Sequence, residues 1–157
     1  MEGSQRHRGH RRVREAPAPR YAPSPAAQEL AGVLLDTDVI IEILRGRRAI
    51  IDGLATLEGR GVRTYTCAVS WAELYAGIRP GEEVLTETFL GQRAEVVIDA
   101  TTGRQAGQYL ARYSKARGVE IADALIAAAA STSGLSLWTL NRRHYPMADL
   151  QFYEPLP

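Results

Sequence analysis

The chain of 157 residues has little cysteine, lysine or histidine. Cys67 is its single cysteine, which excludes an intramolecular disulfide and suits a reducing cytoplasm. The histidines are His7, His10 and His144, so no Cys/His set has zinc-ligand spacing. Lys115 is the only lysine; a GC-rich genome explains this reliance on arginine as readily as phosphate binding does. No apolar run approaches the ~20 residues that span a bilayer. The longest, IADALIAAAA from Ile121, has the length of a buried helix. The arginines near the N-terminus precede no apolar stretch, so no secretion signal is expected there. A net charge of +1 argues against a strongly basic nucleic-acid binder.

That average hides an asymmetry. Residues 1–29 carry Arg6, Arg8, Arg11, Arg12, Arg14 and Arg20 against Glu2, Glu15 and Glu29, among prolines and alanines without hydrophobic period. Such a segment buries too little apolar surface to offset its ordering entropy and is expected to be disordered. It is either a misassigned start or an arm for RNA phosphates. Residues 30–157 are expected to form one domain, long enough to bury a core.

Strand and helix patterns alternate through that domain. Strands are expected at 33–35, 62–69, 95–98 and 135–140, with a fifth candidate at 150–153. Helices are expected around Ile40–Leu44 and over 49–58, 70–78, 82–90, 104–117 and 121–131, several closed by glycine. Short apolar strands separated by helices predict an α/β fold: a mainly parallel sheet of about four or five strands flanked by helices.

In such a sheet, ligands bind where strands run out into helices. Polar residues at those exits are Asp36 after the first strand, Glu73 after the second, Asp123 early in the apolar helix, and Asn141 after the fourth strand. Each has a plain structural explanation. Ser70 and Glu73 have the spacing of a capping box, and Asp38 can cap the helix it precedes. Asp123 can complement a helix dipole, and Asn141 can be a turn residue. Yet Asp123 sits among Ile121, Ala122, Ala124 and Leu125, where an unpaired carboxylate is costly. Clustered carboxylates repel unless a cation neutralises them, and oxygen ligands alone favour Mg²⁺ or Mn²⁺. Such ions bind phosphodiesters, lower the pKa of a water and stabilise a leaving oxygen.

The blocks LLDTDVIIE, AVSWAELYAGI, GVEIADALIAAAA and LWTLNRRHY, in this order, resemble the PIN-domain family. They look most like its VapC-type branch, the ribonuclease toxins of bacterial toxin–antitoxin pairs. The match runs from about residue 32 to the C-terminus. The resemblance implies that Asp36 and Asp123 are direct metal ligands and that Glu73 acts through water to orient the nucleophile. Thr37 matches a hydroxyl position beside the site. Asn141 falls where many members carry an aspartate; its neutral amide implies one tightly held ion, with Asp99 or Glu120 as candidate replacement acids. Implied partners are RNA, a second copy of the chain and a small VapB-like antitoxin covering the active-site groove.

Two other readings compete. DTDV after a strand also resembles the nucleophile loop of haloacid-dehalogenase-like phosphatases. Those enzymes need a later lysine at a strand end and a further acidic pair, whereas Lys115 lies mid-helix and no such pair follows. The alternative kept open by Asn141 is a catalytically impaired PIN-like module that binds RNA or an antitoxin.

Overall fold

The computed structural model describes residues 31–155; the tail expectation therefore lies outside the described residues. Val33–Leu35 forms strand β1, buried on both faces, as an uninterrupted apolar triplet requires in a covered parallel sheet. Helices α1 (Thr37–Leu44) and α2 (Arg48–Gly59) follow, then strand β2 (Thr64–Cys67). Helices α3 (Ala68–Gly77) and α4 (Glu83–Gly91) lead to strand β3 (Ala94–Val96). The long α5 (Ala100–Arg117) and α6 (Ile121–Thr132) precede β4 (Ser136–Trp138) and a 3-10 turn at Arg142–His144.

All pairings are parallel, in the order β3-β2-β1-β4, with Leu34 opposite Tyr65 on one side and Leu137 on the other. Among the described residues the sheet has four strands. The candidate fifth at 150–153 contributes only an isolated bridge between Phe152 and Leu137, too short to be a strand.

Alternation along the strands sends Leu34 and Leu137 to one face, and Val33, Leu35 and Trp138 to the other. The first face packs on α5 and α6, where Ala127, Ala128, Ala129 and Ala130 have no exposed surface. The second face is covered by α1 and α2, with Leu74 of α3 and Leu90 of α4. The all-round apolar helix is thus central, as its composition requires. No helix among the described residues is long and apolar enough to cross a membrane.

The order reverses at β1: the chain moves outward through β2 and β3, then returns to add β4 on β1's other edge. A crevice at the carboxyl ends of β1 and β4 results, the usual ligand position in an open α/β sheet.

Candidate active site

The first strand runs almost directly into a helix, and Asp36 is the single residue between them. Its N–H donates to the Trp138 carbonyl at 2.9 Å, and its Oδ1 accepts the Thr37 N–H at 2.8 Å. Its Oδ2 accepts the Tyr145 hydroxyl at 2.9 Å. Burial pushes the Asp36 carboxyl up to about 6, and the neighbouring charge of Asp38 adds to the effect.

The division of labour expected between the two acids of DTD changes here. The N-cap of α1 is Asp36, not Asp38. No loop separates strand from helix, so the strand-exit residue is also the cap. Asp38 lies within the first turn and reaches across to the end of β4. Its carboxylate accepts the Leu140 N–H at 3.1 Å and the Thr139 hydroxyl at 3.3 Å. Burial raises its pKa as well.

Glu73 departs from expectation in the same way. Because β2 also continues straight into its helix, the N-cap of α3 falls at Cys67, and no Ser70–Glu73 capping pair forms. Ser70 is fully buried with its hydroxyl 3.9 Å from the Cys67 sulfur. Glu73, a turn further along, accepts a short hydrogen bond from the Thr37 hydroxyl.

Asp123 is the third residue of α6, and its Oδ2 accepts the Glu120 N–H at 3.2 Å. Its Oδ1 faces His144 Nδ1 at 3.6 Å. Asn141 receives Arg143 Nε on its Oδ1 at 2.9 Å and turns its Nδ2 toward His144 Nε2, also 2.9 Å away. Since Arg143 fixes the amide oxygen, the amide nitrogen donates to Nε2. The ring proton then lies on Nδ1, facing Asp123.

Asp36, Thr37, Glu73, Asp123 and Asn141, together with Asp38 and His144, line one cavity of about 290 Å³. The candidate replacement acids do not join them. Asp99 caps α5 by accepting the Thr102 N–H at 2.9 Å, and Glu120 is the N-cap residue of α6. Asp149 accepts the Tyr109 hydroxyl. Asp38 is therefore the fourth carboxylate of the cavity. Sequence reasoning also missed His144, the single histidine of the domain, and Tyr145. The contact between Tyr145 and Asp36 spans 109 positions and leaves no local signal. Arg45 and Arg47 pair with Glu42, Arg48 with Asp52, and Arg142 with Glu154.

A family model for the PIN domain matches residues 33–150. The chain belongs to the PIN-domain family. Its relatives place it in the VapC branch. Ribonuclease VapC10 of Mycobacterium tuberculosis is 39% identical over 122 residues, covering 74% of this chain and 88% of the relative. Ribonuclease VapC19 of the same organism is 35% identical over 120 residues, covering 75% and 96%. In three dimensions, a chain of a toxin–antitoxin complex from Klebsiella pneumoniae superimposes with a TM-score of 0.64 at 20% identity. That match covers 80% of this chain and 98% of the other and concerns the fold alone.

The donor chemistry of this PIN domain fits a hard divalent cation. Two buried or half-buried carboxylates, Asp36 and Asp38, have pKa values raised by burial, which a bound cation would offset. Among the described residues, no three acid, histidine or cysteine side chains close on one point. The acids ring a cavity instead, which suits an ion that retains several waters.

Proposed function

We propose that the protein is a Mg²⁺-dependent endoribonuclease, with Mn²⁺ as a substitute, acting as the toxin of a toxin–antitoxin pair. The observation that carries this reading is the convergence of Asp36, Glu73 and Asp123 on one cavity at the β1/β4 crevice. The names of the VapC relatives support the reaction class. Asp36 and Asp123 are the residues to hold the ion, with Glu73 acting through water. When bound, the ion supplies neutralisation of phosphodiester charge and a lowered water pKa. Thr37 donates its hydroxyl to Glu73, a carboxylate that would accept a proton from the attacking water. In hydrolysis a water oxygen would bond to phosphorus as a backbone P–O bond breaks, the leaving oxygen taking up a proton, with no covalent enzyme intermediate.

The antitoxin belongs to the same reading. A second cavity of about 240 Å³ between α1, α3 and α4 is lined by Leu44, Leu74, Ile78 and Leu85. It shares Ile41 and Glu73 with the acid cavity, so a segment lying in it would reach the site. Homodimerisation is part of the proposal, and light scattering reads it.

The test uses purified, antitoxin-free protein with a broad RNA pool and Mg²⁺ or Mn²⁺. Asp36→Ala and Asp123→Asn are expected to lower cleavage at least ~100-fold and abolish growth arrest, with circular dichroism unchanged. Full toxicity in both variants overturns the reading. Wild-type protein that binds RNA but never cuts it would favour the impaired-module alternative.

A further inference from the structure

Tyr145 has no role in the reaction as described, yet its hydroxyl reaches across 109 positions to donate a 2.9 Å hydrogen bond to Asp36 Oδ2. It follows the 3-10 turn after β4, and its ring is buried in the same apolar cluster as Met147, Leu150 and the alanines of α6. A phenol keeps its proton at neutral pH, so the hydroxyl donates and the carboxylate accepts. Phenylalanine would fill that apolar space as well, and a buried hydroxyl is costly unless bonded. Its bond goes to Asp36.

The two oxygens of Asp36 are thereby held from opposite ends of the chain. Oδ1 has the neighbouring Thr37 N–H, and Oδ2 has Tyr145. Each carboxylate oxygen carries two lone pairs, so one on each remains for the cavity while the carboxylate plane is fixed. We propose that the Tyr145 hydroxyl is a positioning group that presents Asp36 to a divalent cation, by locking the carboxylate before the ion arrives. This rests on the reading of Asp36 as a metal ligand. Tyr145 itself touches neither ion nor RNA; partners of this outer kind typically contribute ~10–100-fold to metal affinity or activity.

The test compares wild-type and Tyr145→Phe full-length protein for Mn²⁺ affinity, by electron paramagnetic resonance and calorimetry, beside thermal unfolding without metal. Tyr153→Phe, whose ring packs on Trp138 away from the acids, is the control. The expected result is a Mn²⁺ Kd about 10-fold weaker in Tyr145→Phe, an unchanged Kd in Tyr153→Phe, and a parallel fall in RNA cleavage at limiting metal that excess Mn²⁺ restores. A lowered unfolding temperature with unchanged Mn²⁺ affinity overturns the proposal, because a purely structural tyrosine behaves that way. If wild-type protein does not bind Mn²⁺, the metal-ligand reading of Asp36 falls first and this inference with it. If the phenylalanine variant fails to fold, a fluorotyrosine at position 145 keeps the ring and strengthens the donor. An altered Mn²⁺ affinity then supports the proposal, and an unaltered one overturns it.

Discussion

The buried carboxyl of Asp36 ties the proposed metal site to stability. Its pKa is raised from 3.8 to about 6 by burial and by Asp38. The folded state therefore holds this proton more tightly than the unfolded chain does. The associated stability is fully present below about 3.8 and is lost as pH rises through about 6, a cost of roughly 3 kcal/mol. Metal-free protein is thus expected to unfold at a lower temperature at pH 7.5 than at pH 5. Asp36→Asn should flatten most of that slope and unfold at a higher temperature than wild type at pH 7.5, while losing RNA cleavage. The amide is accommodated because the Tyr145 hydroxyl can rotate to accept its N–H. Thermal unfolding followed by circular dichroism across this pH range is the measurement, and an unchanged slope in the variant would contradict the assignment. Asp38 is raised too, so a smaller residual slope is expected.

At the scale of elements, strand-to-helix junctions do most to build the site. β1 meets α1 across Asp36 alone, and β2 meets α3 with no intervening residue. Asp36, Asp38 and Glu73 are therefore aimed by the sheet and not by a loop. These junctions were also the least legible parts of the sequence. Ser70 and Glu73 have perfect capping-box spacing, but the pattern says nothing of where the preceding strand ends. That end moved the cap to Cys67 and freed Glu73. Helix ends marked by glycine were legible because the signal is local: Gly118, at φ 68°, closes α5 where expected. The turn it makes sets the start of α6 and so the position of Asp123. Gly118→Ala forces a Cβ into the left-handed region and is expected to lower stability by about 1–2 kcal/mol. Urea titration reads the loss, and a neutral substitution would show that the turn relaxes elsewhere.

For the whole molecule, the alternation of strands and helices and the order of acidic blocks made the α/β class and the strand exits legible. Contacts that complete the site were not, because they join positions about a hundred residues apart: Asp38 to Leu140, and Asp36 to Tyr145. Nothing in either neighbourhood announces its partner. The same long reach has a consequence for how the protein comes into being. Val33–Leu35 pairs with Ser136–Trp138, and the residues that hold Asp36 and Asp38 follow that late strand. A chain ending at residue 135 is expected to be protease-sensitive and to bind no Mn²⁺, which limited proteolysis and paramagnetic resonance would show. During synthesis, the first acid emerges early and waits, its strand open on one edge, for nearly the whole chain to leave the ribosome. The site is a late product of translation, so a growing chain passes beside ribosomal RNA before its cavity has been closed.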